Sequence, residues 1–202
     1  MKYIAYDLDG TLVKFNTFKV WIILSFLLSF VFFRFSFLKR FIGFVRLRKQ
    51  RKLDRVGFKA AVLAIQVGSP FWKKVGKLYG NYLAIFSLRQ DLLALHKDAI
   101  RCLATAAPDI YVIPFSQKAG VFDTVIYSHF VSDNTFIETL NEEKKKAVLK
   151  VFSSNPDFLF TDHYDDFPLI NACKFTYLVS PDPASKKKLV ERLSQENYQI
   201  ID

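Results

Sequence analysis

Cysteine is scarce: Cys102 and Cys173 are the only two in 202 residues. That excludes a disulfide framework and makes a reducing compartment the default setting. Long apolar runs are missing too. Val20–Phe33 holds 14 uncharged residues between Lys19 and Arg34, whereas a helix crossing the hydrocarbon needs about 20. It is no secretory signal either, because an acidic, strand-like segment precedes it. A single crossing there would strand Asp7 on one side of the membrane and every later residue on the other. The apolar runs 60–67 and 83–88 are too short to provide a return. The apolar fraction of 51% is high, but not that of a multispanning protein.

Acid is missing from one region. Residues 10–90 carry sixteen Lys/Arg against a single acid, Asp54, while the remainder has thirteen Lys/Arg and eighteen Asp/Glu. An acidic body therefore carries a strongly basic insertion, whose field attracts polyanions. The insertion is also rich in aromatics, and the chain's 22 Phe crowd into its first half. Between 34 and 55, Arg34, Lys39, Arg40, Arg46, Arg48, Lys49, Arg51, Lys52 and Arg55 alternate with Phe35, Phe37, Phe41, Phe44 and Val45. Basic clusters beside an apolar helix suit anionic lipid head groups. Aromatic and basic residues also build single-strand nucleic-acid platforms, but the continuous aliphatic and Phe run suits lipid better. A helical cap with solvated charges is the plainer alternative. The expectation is a helix or helical hairpin lying in the interface or dipping into one leaflet. This places the protein in the cytoplasm, peripheral or monotopic on the inner face of the cell membrane.

Chemistry concentrates elsewhere. The run Tyr3–Tyr6 reads as a strand and leads into Asp7-Leu8-Asp9-Gly10-Thr11-Leu12. Positions i and i+2 of a strand share a face, so Asp7 and Asp9 set out in the same direction. Gly10 then permits a sharp turn. Paired carboxylates at a strand end invite a divalent cation, and Mg²⁺ takes few protein oxygens. After residue 97, short apolar strands alternate with helical stretches, which indicates an α/β fold with a mainly parallel sheet. Ile100–Thr105 reads as a strand ending in Thr105-Ala106-Ala107-Pro108, where small residues let a backbone approach a phosphate. Asn141 reads as the N-cap of a helix whose first turn holds Glu142 and Glu143, followed by Lys144, Lys145 and Lys146. Asp157–Thr161 reads as a buried strand, followed by Asp162-His163-Tyr164-Asp165-Asp166 with two acids four apart. His163 reads as a rim residue, His96 as structural and Asp165 as an exposed acid. Gly68-Ser69-Pro70, Gly76 and Gly80 read as breaks between helices.

The four segments, in this order, resemble the motifs of the haloacid dehalogenase superfamily of phosphatases. The resemblance covers about 1–14 and 97–202, and it implies a Rossmann-like sheet bearing a helical cap at 15–96. By that resemblance Asp7 is the nucleophile and Asp9 the general acid/base. Thr105 and the Ala106 N–H hold the phosphoryl group, and a lysine, best placed at Lys144, steadies the charge. Mg²⁺ is held by Asp7, Asp9 through its carbonyl, and Asp162, with Asp166 acting through water or as a brace. In length and in its hydrophobic insertion the chain also resembles bacterial phosphatidylglycerophosphatases of the C type. The expected partner is therefore a phosphorylated, lipid-like substrate at an anionic membrane surface. Two alternatives stay open: a soluble phosphatase of the phosphoserine phosphatase kind, and a membrane- or polyanion-binding module with a vestigial site.

Overall fold

The residues of the first strand explain its position. β1 (Lys2–Tyr6) buries Ile4, Ala5 and Tyr6 completely, as a strand covered on both faces of a parallel sheet must. The computed structural model describes residues 1–132 and 134–202. Its strands after β1 are β2 (Ala99–Pro108), β3 (Thr124–Phe130), β4 (Phe136–Ile137), β5 (Phe158–Thr161), β6 (Phe175–Val179) and β7 (Tyr198–Ile201). They form a seven-stranded sheet in the order β4-β3-β2-β1-β5-β6-β7. All pairings are parallel except that of β3 with β4. The helices are α1 (Thr17–Val31), α2 (Phe35–Lys49), α3 (Arg55–Ala64), α4 (Pro70–Phe86), α5 (Gln90–Ala94), α6 (Asp109–Ala119), α7 (Asn141–Phe152), α8 (Phe167–Ile170) and α9 (Pro183–Val190). The expected α/β class, with a mainly parallel sheet, is the one observed.

Register is what positions the site. Tyr6 lies beside Leu103 of β2 and Phe160 of β5, so the C-terminal ends of β1 and β5 lie level with the middle of the longer β2. Asp7, Thr105 and Asp162 follow within one or two residues. The order reverses at β1, and in such sheets ligands bind outside the carboxyl ends at that switch point. One face of the sheet packs Ala5, Cys102, Leu159 and Leu178 against Val148 and Phe152 of α7, Leu169 and Ile170 of α8, and Leu189 of α9. On the other face Tyr6 stacks on Phe160 at 4.7 Å, and Phe160 on Tyr177 at 4.5 Å. His96 stacks on Phe158 at 4.1 Å.

The chain divides into two compact units, residues 1–16 with 77–202, and residues 17–76. Residues 77–96, expected in the insertion, thus fall with the larger unit. Gly76 and Gly80 do not break the helix but lie inside α4. At Gly80 a Cβ would collide with the Tyr111 carbonyl, so glycine there is a packing requirement. In the smaller unit Trp21 and Trp72 meet edge to face at 6.1 Å, and Phe37 lies 4.7 Å from Trp72. Asp54, the unit's single acid, caps α3 by accepting from the Gly57 N–H at 2.7 Å. Among the described residues no helix is long and apolar enough to cross a membrane.

Candidate active site

Asp7 follows β1 directly, and its N–H still donates to the Phe160 carbonyl at 2.9 Å, as a ladder residue would. Its carboxylate stands at the level where β5 ends. Gly10 has φ of 75° and turns the chain beside Asp162; a Cβ on residue 10 would collide with the Asp162 carboxylate. Glycine is therefore required twice over, by conformation and by space. Asp9 bridges to Val13 in the same turn.

Of the three consecutive lysines, only Lys144 faces inward. Its residue is 3% exposed, and its Nζ donates to Asp7 Oδ1 at 2.8 Å and to Asp166 Oδ2 at 2.9 Å. Lys145 and Lys146 lie on the outer side of α7, paired with Glu142 and Glu143. The expected cap of this helix needs correction. Asn141 is its first residue, at φ 50°, and the cap position belongs to Leu140 with no side-chain bond. Asn tolerates the left-handed region, and that entry lets α7 aim Lys144 at the strand ends.

Asp166 is 2% exposed and sits in a single 3₁₀ turn, Tyr164–Asp166. It accepts from Lys144 and from the Thr161 hydroxyl at 2.7 Å. This Thr161 contact was not anticipated from sequence, although a hydroxyl ending the strand just before Asp162 was a signal for it. The other Asp166 oxygen, Oδ1, pairs with Lys144 Nζ at 2.7 Å but makes no well-directed hydrogen bond. Asp165 is partly exposed beside His163 at 3.5 Å, and His163 lies at the surface.

Thr105 is buried, and its Oγ1 accepts from the Ala107 N–H at 3.0 Å. The strand does not end at Thr105 as expected but runs on to Pro108. Between Ala104 and Pro108 its register against β3 shifts: three residues of β2 face one of β3. This bulge bends the strand where small residues allow it, and Ser128 Oγ secures it by donating to the Ala106 carbonyl at 2.7 Å. Thr11 Oγ1 is fully buried with no hydrogen-bond partner among the described residues.

The electrostatics follow from an excess of acid. Burial pushes the Asp7 carboxyl well above its ordinary range; Lys144 offsets part of this, and the charges of Asp166 and Asp162 add to it. Burial likewise pushes Asp162 up to about 6, with Asp166 contributing. Burial alone would lower Lys144, but Asp166 and Asp7 hold it above the usual lysine range. So the lysine stays charged, and the surplus carboxylate must keep a proton or meet another cation. The excess of buried carboxylate and the all-oxygen donor set fit a hard divalent ion. No three acidic, His or Cys side chains form a ready-made cage among the described residues. Mg²⁺ usually takes one or two carboxylates and completes its shell with water and substrate oxygens.

A family model described as haloacid dehalogenase-like hydrolase matches residues 4–171. The chain is 32% identical over 105 residues to the glycerol-3-phosphate acyltransferase RAM2 of Petunia hybrida, an alignment taking in 46% of this chain and 22% of the relative. The chain thus spans about a fifth of the length of that curated relative. A protein of unknown function from Bordetella pertussis Tohama I superposes with a TM-score of 0.73 at 16% identity, covering 100% of this chain and 98% of the other. A phospho-aspartyl intermediate analogue of phosphoserine phosphatase superposes with a TM-score of 0.53 at 14% identity, covering 93% and 90%. At these identities the two structures show a shared fold.

Proposed function

The chain belongs to the haloacid dehalogenase-like hydrolase family, and from that premise we propose that it is a Mg²⁺-dependent phosphatase acting through an aspartyl-phosphate. The observation that carries the reading is the Lys144 ammonium held between Asp7 and Asp166 at 2.8 and 2.9 Å, beside the Asp162–Gly10 turn. Asp7 attacks phosphorus in line with the leaving oxygen, using the carboxylate oxygen that Lys144 leaves free. The P–O bond to the alcohol breaks as Asp9 protonates the departing oxygen. Asp9 then takes a proton from water, which attacks phosphorus and returns Asp7 as a carboxylate with inorganic phosphate. Lys144 favours the ionised form of Asp7 against the cost of its burial and opposes charge on the phosphoryl oxygens, and Thr105 with the Ala106 N–H takes another of them. Asp7, the Asp9 carbonyl and Asp162 would hold Mg²⁺, which when bound neutralises phosphate charge. Asp166 braces Lys144. The phosphoserine phosphatase of similar fold is by its name an analogue of a phospho-aspartyl intermediate, in keeping with a covalent route.

The substrate we favour is a membrane lipid phosphate such as phosphatidylglycerophosphate. Two observations support it: the basic, apolar composition of residues 17–76, and the name of the curated relative, which concerns a phosphorylated glycerol. The membrane contact and the cytoplasmic, inner-face location expected from sequence belong to the same proposal. The test is phosphate release from phosphatidylglycerophosphate in mixed micelles, beside phosphoserine, with Mg²⁺ or EDTA. The lipid should be hydrolysed faster, and EDTA should abolish release. Release from phosphoserine alone would replace the lipid reading with the soluble one.

A further inference from the structure

A helix on the surface of a water-soluble domain turns its apolar stripe to the core and its polar residues to solvent. α1 does the reverse. Its buried positions are Thr17, Trp21, Ser25 and Ser29, spaced four apart. Ile23, Leu27 and Phe30, on another face, are 51%, 54% and 64% exposed. Hydrogen bonds lock this orientation. Trp21 Nε1 donates to Gln66 Oε1 at 3.0 Å, Gln66 Nε2 to Ser25 Oγ at 2.9 Å, and Ser29 Oγ to the Ser25 carbonyl at 2.6 Å. Rotating α1 to bury its apolar face would break both bonds to Gln66, whereas the Ser29 bond lies within α1 and turns with it.

The exposed apolar surface continues around the turn into α2 through Phe32, Phe33 and Phe35, with Phe33 at 76%. Phe33 has φ of 52°, a region that a bulky residue rarely occupies. An aromatic ring is thus presented at a position whose backbone would favour glycine. Beside the turn lies an open cavity of about 310 Å³, lined by Arg34, Ser36, Arg40 and Ser69 over Phe37 and Trp72. The Arg34 guanidinium is held over the Phe71 ring at 3.9 Å. No carboxylate of residues 17–76 can neutralise these arginines, since Asp54 is the unit's single acid and its Oδ1 is engaged in the α3 cap.

We propose that residues 23–40 are a docking tip for an anionic phospholipid surface. The outward face of α1 and the phenylalanines of the turn enter the boundary between head groups and acyl chains, while Arg34 and Arg40 take a lipid phosphate in the cavity between them. At 15 residues α1 rises about 22 Å, short of the roughly 30 Å hydrocarbon core, so the tip dips into one leaflet. A second copy of the chain is the poorer occupant, because pairing two such tips would bring their unpaired arginines together. The proposal deepens the lipid-phosphate reading and rests on it for its purpose, but its test is independent of turnover.

The test is co-sedimentation of the full chain with vesicles of phosphatidylcholine alone, or of phosphatidylcholine mixed with phosphatidylglycerol. Wild type should bind the mixed vesicles and lose that binding in high salt. The double variant Arg34→Gln/Arg40→Gln should bind at least about tenfold more weakly. Phe33→Gly should also bind more weakly while melting no lower than wild type, because glycine suits the turn. Both variants should hydrolyse p-nitrophenyl phosphate at the wild-type rate. Equal binding to both vesicle types, or variants that bind like wild type, would overturn the tip. So would a dimer in solution, seen by light scattering, that Phe33→Gly dissolves while no vesicle is bound. Failure to hydrolyse any ester, with vesicle binding as described, would remove the phosphatase reading and leave the tip standing.

Discussion

Lys144 balances two buried carboxylates, and its removal should show how unevenly the site is charged. In Lys144→Met, Asp7 and Asp166 would face each other with no cation, and breaking a buried pair this way costs about 3–5 kcal/mol. The sign of the pH dependence follows from burial. Asp7 is already held well above the ordinary carboxyl range by desolvation, with Asp166 and Asp162 beside it, and losing the ammonium raises it further. Between the unfolded value of about 3.9 and that raised value, the folded protein binds more protons than the unfolded chain, so stability falls as pH rises. Thermal melts of Lys144→Met should therefore lie furthest below wild type at pH 8 and recover toward pH 5. An equal deficit at both would contradict the charge assignment. From sequence, Asp7, Asp9 and Asp162 stood out because paired acids flank strand ends with a glycine. The choice among Lys144, Lys145 and Lys146 stayed open, because it depends on helix phase relative to a strand far away in the chain. The positive φ of Asn141 that sets this phase has no strong sequence signature.

At the scale of elements, α4 shows where local rules mislead. Gly80 reads as a helix breaker, yet it lies inside a 17-residue helix because the backbone of α6 leaves no room for a side chain at Tyr111. Gly80→Ala would gain about 1 kcal/mol of helix propensity, but overpacking costs about 1–3 kcal/mol and forces the two helices apart. We expect a net loss of stability, read as a lower urea midpoint with an unchanged slope. A higher midpoint would mean that the α4–α6 contact yields easily. β2 offers a similar lesson. Its continuation past Thr105 rests on a bulge against β3 and on Ser128 and the Ala106 carbonyl, which no local pattern reveals. The strands β1 and β5 were legible because short apolar runs in a parallel sheet are bounded by acids. The orientation of α1 was not, since its sequence is apolar almost all round and only packing selects the serines for the inside.

At the scale of the whole chain, the division of labour was legible in charge. The acidic body carries the sheet and its carboxylates, and the basic excess belongs to an insertion that follows the first strand. The exact boundary was not legible, because α4 runs continuously from one unit into the other and nothing in its composition changes there. In the proposed mechanism the larger unit brings residues from three strands and one lysine to the same phosphoryl group, through Asp7.

The measurement that tests this most directly is mass spectrometry of acid-quenched protein during Mg²⁺-supported turnover, run in parallel on wild type and Asp7→Asn. We predict a phosphoryl group on the peptide carrying Asp7 in wild type, none in the variant, and turnover reduced at least about 10³-fold by the substitution. Label on another residue, or turnover undiminished in Asp7→Asn, would contradict the assignment of Asp7 as the nucleophile.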